Sequence, residues 1–122
     1  MSNCFIADDI LALNKPFGMG MTRTGTDPKE DLHTIQKYLP FLARASGVQD
    51  IYPVHRLDKS TSGVLLFAKT RAMRIKLVDL FRRRMVDKRY WAIVRGVPEP
   101  TEGERKTYLF FYCPFYVSNY WF

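Results

Sequence analysis

The sequence predicts a domain of mixed class, α/β or α+β. Three observations predict it. Short apolar runs stop at Pro or Gly, as strands do. Two segments carry apolar residues at helical spacing. The two kinds of segment alternate as strand, helix, strand, helix, strand, which calls for helices packed on a sheet. The 122 residues suffice for one core and are too few for two full domains. Hydrophobic residues at 47% and charged residues at 25% exclude a chain disordered by composition, a collagen and a disulfide scaffold.

In chain order, Ile10–Asn14 reads as a strand that stops at Lys15-Pro16, because Pro cannot donate to a ladder. Gly18, Gly20 and Gly25, with Thr22, Thr24 and Thr26, form a flexible loop. Leu32, Ile35, Leu39 and Leu42 place a helix over Asp31–Leu42, with Asp31 as its N-cap and Pro40 ending or kinking it. Gly47–Asp50 is a turn, and Ile51–Val54 is a short edge-like strand. Gly63–Ala68 is a buried strand. Thr70 caps a second helix over Arg71–Met85, with Met73, Leu77, Leu80, Phe81 and Met85 as its apolar stripe. Lys88–Val94 is a further strand, ended by Gly96 and Pro98.

The charge is uneven. The chain carries 19 Lys plus Arg against 12 Asp plus Glu, a net +7. Residues 69–95 hold ten basic and two acidic side chains and so carry the whole excess. Such a segment is either a solvated helix face or a footprint for a phosphate backbone. Cys4 and Cys113 stand at opposite ends, and neither they nor His33 and His55 have metal-ligand spacing. No metal is expected. The start, Met1-Ser-Asn-Cys-Phe-Ile-Ala-Asp-Asp, resembles neither a secretory signal nor a transit peptide. Reduced thiols of an intracellular protein, cytoplasmic or mitochondrial, are the expectation.

Two parts differ in character. Residues 1–103 read as the domain, and residues 104–122 as an ending foreign to it. Thr107–Phe122 contains no charge, and nine of the last fifteen residues are Phe, Tyr or Trp. This stretch is short of the roughly 20 residues a membrane helix needs, so a membrane anchor is not expected.

The segment with most chemistry is Pro53-Val-His-Arg-Leu-Asp-Lys-Ser-Thr-Ser-Gly63. Asp58 sits in a polar loop between two hydrophobic pieces, held near a sheet yet reachable. Arg56 and Lys59 keep its carboxylate ionised and attract a polyanion. Ser60, Thr61 and Ser62 can donate to that carboxylate or to phosphate oxygens. The plainer alternative is that Asp58 only makes a local Asx turn. The loop is neither a Walker A nor a nucleophile elbow, and no paired acid or second nearby His completes a dyad or triad.

His55-Arg56-Leu57-Asp58-Lys59-x-Thr61-Ser62-Gly63 resembles the catalytic signature of the RluA-type RNA pseudouridine synthases. Leu13-Asn14-Lys15-Pro16-Phe17-Gly18 resembles the family's opening motif, and Lys88-Arg89-Tyr90-Trp91-Ala92, leading to Val94 and Gly96, resembles a later strand. The resemblance runs from about Ile10 to Pro100. It implies an α+β fold with a mixed, largely antiparallel sheet and flanking helices, here incomplete. It also implies isomerisation of chosen uridines in rRNA, tRNA or mRNA, without cofactor or metal. The partner is then RNA, as a uridine-containing stem-loop or other structured RNA.

By motif, Asp58 is the catalytic aspartate, acting as a nucleophile at the sugar or as a base on it. Arg56, Tyr90, His55 and Lys59 are implied as substrate-binding. Arg56 fills the stack left by the flipped nucleotide or contacts the RNA, and Tyr90 lines the pocket. Lys15 and Pro16 shape a turn rather than touch substrate. Arg82, Arg83 and Arg84 are placed to grip phosphates flanking the uridine, against the alternative of a solvated face. Family members continue for well over a hundred residues, through a "GRxHQIRxH"-like motif whose Arg pairs with the catalytic aspartate, and nothing here matches it. Two alternatives stand beside the enzyme: a non-catalytic basic RNA-binding remnant, and a truncated product that does not fold.

Overall fold

A computed structural model describes residues 4–22, 33–93 and 95–97. The chain divides into two units, Met1–Val86 and Asp87–Phe122. The first holds β1 (Cys4–Ile6), β2 (Ile10–Lys15), α1 (Ile35–Ala45), β3 (Tyr52–Pro53), β4 (Gly63–Ala68) and α2 (Arg71–Arg82). The strands form one sheet in the order β1-β2-β4-β3, every ladder antiparallel. A lone parallel bridge joins Gly20 to Thr34. The class is α+β.

Alternation in the two long strands builds a core on each face. Leu11 and Leu13 stand opposite Phe67 and Leu65. With Ile35, Leu42 and Ala43 of α1, and with Ile51 and Leu57, they close the larger core. On the other face Ala68 and Val54 meet Leu77 of α2, with Met73, Leu80 and Phe81 packed around them. The sheet is thus the middle of three layers. Edge strand β3 is pinned to α2 by the Arg74 guanidinium, 5.7 Å from the centre of the Tyr52 ring.

Both helices end in the same hydrogen-bond pattern. After α1, Val48 N–H reaches Ala43 C=O at 3.0 Å and Gly47 N–H reaches Arg44 C=O at 3.1 Å, with Gly47 at φ +68°. After α2, Met85 N–H reaches Leu80 C=O at 2.9 Å and Arg84 N–H reaches Phe81 C=O at 3.2 Å. There the left-handed position is held by Arg84, at φ 57°. Thr70 caps α2 as its sequence predicts, with Oγ1 accepting from Met73 N–H at 3.1 Å.

Several expectations are corrected. α1 begins at Ile35, with Thr34 at its N-cap, and runs through Pro40 to Ala45. Pro40 is exposed, so water can serve the carbonyl it leaves free, while buried Leu42 and Ala43 hold the following turn to the sheet. The expected cap Asp31 lies outside the described residues. α2 stops at Arg82, and Met85 is 62% exposed instead of closing the apolar stripe. Residues 88–93 form no strand, Val94 lies outside the described residues, and Trp91 and Ile93 are fully exposed. A strand exists by its ladder, and no described ladder includes these residues. β1 has no counterpart in the sequence reading. The proposed ending, residues 104–122, lies outside the described residues. Among the described residues, no helix is long and apolar enough to cross a membrane.

Candidate active site

The connection from β3 to β4 carries the charged loop. Its two apolar residues anchor it on opposite faces of the sheet: Val54 joins the core under α2, and Leu57 joins the core under α1. The chain therefore crosses the end of the sheet between them. Thr61 N–H then donates to Asp58 C=O at 3.0 Å and closes a turn. Asp58, Lys59 and Ser60 are exposed on that turn, and Arg56 is exposed just before it. No hydrogen bond or ion pair to the Asp58 carboxylate is present among the described residues. The acid is reachable and uncommitted, which removes the Asx-turn alternative for its side chain.

The segment after β2 holds this turn in place. Gly18, at φ +80°, donates its N–H to Lys59 C=O at 2.8 Å. A side chain would strain that backbone conformation, which is why glycine suits the position. Lys15 continues the inward alternation of Leu11 and Leu13 and is 0% exposed. Its Nζ donates to Met19 C=O at 2.8 Å and to Pro16 C=O at 3.1 Å, which folds residues 16–19 around the ammonium. Burial pushes the Lys15 ammonium below its ordinary pKa, and the Asp58 carboxylate pulls the other way. A buried cation thus lies within electrostatic reach of the exposed acid. The sequence alone does not show this proximity. The one signal for it was that Lys15 falls in phase with Leu11 and Leu13.

Beside the turn a cleft of about 130 Å³ opens between Gly20–Thr22, His33–Thr34 and the side chains of Arg56, Leu57 and Lys59. Arg56 and Lys59 bring positive charge to its rim, next to Asp58. The structure therefore brings together Asp58, Arg56, Lys59 and Lys15. His55 is half-buried, with Nε2 accepting from Leu66 N–H at 2.9 Å and its ring stacked on Phe81 at 4.6 Å between centroids. Arg82, Arg83 and Arg84 are exposed at the end of α2, in the layer opposite Leu57 and Lys15. Arg82 and Arg83 both pair with Asp79, at 2.7 and 3.4 Å. Such exposed pairs are weak and leave the guanidinium groups open to a stronger anion. Tyr90 lies in the second unit, exposed and outside any strand. Among the described residues, no cluster of His, Cys, Asp or Glu could hold a metal ion.

Comparison with known proteins adds lineage to this geometry. The RNA pseudouridylate synthase family model matches residues 9–119. The chain is 41% identical over 100 residues to ribosomal large subunit pseudouridine synthase C of Rickettsia bellii, covering 82% of this chain and 31% of that protein. It is 42% identical over 89 residues to tRNA pseudouridine synthase C of Haemophilus ducreyi, covering 73% of this chain and 35% of that one. The solved structure of human RNA pseudouridylate synthase domain containing 4 superposes with a TM-score of 0.70 at 32% identity, over 81% of this chain and 36% of that one. The chain spans about a third of the length of these relatives.

Proposed function

Because this chain belongs to the RNA pseudouridylate synthase family, we propose that it carries the reacting carboxylate of an enzyme that isomerises uridine to pseudouridine in RNA. The observation that supports this most is the state of Asp58: exposed, free of hydrogen bonds among the described residues, mounted on a turn clamped by Gly18, and within electrostatic reach of the buried Lys15 ammonium. An acid that served only the fold would be tied into its own loop.

The reaction is an isomerisation, so atoms balance within the nucleotide. The bond from C1′ to N1 breaks, the uracil turns, and C5 bonds to C1′ while its proton leaves and N1 gains one. Asp58 acts at the sugar, as a nucleophile at C1′ or as a base. Arg56 and Lys59, on either side of it, take the RNA strand around the flipped nucleotide. Arg82, Arg83 and Arg84 bind phosphates farther along the strand, at the same end of α2 that meets the loop through Phe81. The substrate class is structured rRNA, tRNA or mRNA.

The test is nucleoside analysis of a uridine-containing stem-loop RNA after incubation with the full chain, alone and grafted in place of the matching segment of the Rickettsia bellii relative. Pseudouridine is expected from a protein carrying Asp58 and none from Asp58→Asn. Equal yield from both sinks the assignment.

A further inference from the structure

The ladder between β3 and β4 ends in an unusual way. Tyr52 pairs with Ala68 and Pro53 with Phe67, so the next pair in register is Val54 with Leu66. Val54 N–H reaches Leu66 C=O at 3.4 Å. The reciprocal donor, Leu66 N–H, bonds to His55 Nε2 at 2.9 Å in place of the Val54 carbonyl. An imidazole has taken over from the backbone at the point where the chain leaves the sheet. The ring is held on its face by Phe81 near the end of α2, 4.6 Å away and 19° from parallel. An accepting Nε2 requires the neutral ring with its proton on Nδ1.

The consequence concerns the residues that follow. Leu66 N–H is a part-buried donor in the strand, and leaving it unpaired would cost stability. Pairing it with a side chain frees Val54 C=O and lets the backbone turn across the end of the sheet. Leu57 then drops into the opposite core, and Asp58 emerges on its turn. The exit point of the chain is set by one ring that touches β4 and α2 together.

We infer that His55 is a positioning residue for the Asp58 turn, acting through Leu66 and Phe81 and not by contact with RNA. The inference rests on the reading of Asp58 above for its bearing on turnover. Its structural half stands apart from that reading.

The experiment compares the full chain with His55→Phe, which keeps a stacking ring and loses the acceptor, and His55→Gln, which restores an acceptor at the same reach. Amide exchange at Leu66 is read by NMR, with the resonances of Asp58–Thr61 and the rate of pseudouridine formation per bound RNA. In His55→Phe, Leu66 exchange speeds up and the rate falls, each by about tenfold, the effect of one lost part-buried hydrogen bond, while RNA affinity holds within about twofold. The Asp58–Thr61 resonances shift. His55→Gln recovers all three. Should His55→Phe not fold, His55→Gln decides alone, through wild-type exchange at Leu66.

Unchanged Leu66 exchange in His55→Phe overturns the inference. So does a fall in RNA affinity with the rate per bound complex unchanged, since that marks a substrate contact. If the parent chain and its graft make no pseudouridine, the reading of Asp58 fails, and Leu66 exchange with the turn resonances still decides the role of His55.

Discussion

The Gly18 amide donates to the Lys59 carbonyl at 2.8 Å, and that one bond joins the turn after β2 to the turn that bears Asp58. Two segments far apart in sequence are tied together there. Gly18 fits because its φ of +80° lies in the left-handed region. No neighbouring atom would meet an added Cβ there, so the cost of Gly18→Ala comes from the backbone alone. It is expected to be about 1 kcal/mol, read from urea denaturation. Amide exchange at Gly18 itself should rise in step.

Lys15 gives a pH prediction. Burial lowers its pKa from the ordinary 10.5 against the pull of Asp58. The unfolded chain therefore keeps this proton to higher pH than the folded one. Wherever the unfolded state binds more protons, stability rises with pH. The stability of the parent relative to Lys15→Met should thus climb as pH rises through the folded pKa toward 10.5 and stay level well below that window. A difference that is flat across the alkaline range contradicts the buried ammonium.

Arg84 holds the left-handed position after α2, where Gly47 serves after α1. An L side chain in this region costs about 1 kcal/mol. Arg84→Gly is expected to stabilise the fold by about that amount in thermal or urea unfolding. If Arg84 binds phosphate as proposed, the same change weakens RNA binding and makes it less steep in salt by about one charge.

Phe67 and Leu65 are fully buried opposite Leu11 and Leu13. Phe67→Ala leaves a cavity between the sheet and α1, and a loss of about 3–5 kcal/mol is expected by urea denaturation. Val64, 66% exposed on the same strand, should tolerate Val64→Thr with less than about 0.5 kcal/mol lost.

What the sequence shows and what it hides divides along physical lines. Gly63–Ala68 could be read to the residue, because an apolar run closed by Gly and a Thr cap leaves one interpretation. The Thr70 cap was equally plain. The start of α1 was not, since Leu32 keeps helical phase with Ile35 while the helix begins only at Ile35. β1, three residues long, offers too little pattern to be seen. Lys88–Val94 has the composition of a strand, but composition cannot supply a partner. In the site, Asp58 and its cationic neighbours were legible from type and spacing. Lys15 lying near enough to Asp58 to feel its charge, and His55 accepting from Leu66, were not, because both depend on tertiary register.

The most direct test of the central claim follows the hydrogen on C5 of uridine. RNA carrying tritium at that carbon releases it to water when C5 bonds to the sugar. With the full chain and its graft into the Rickettsia bellii relative, release is expected from Asp58 proteins and background alone from Asp58→Asn, at equal RNA binding. Release at the same rate from Asp58→Asn would contradict the account.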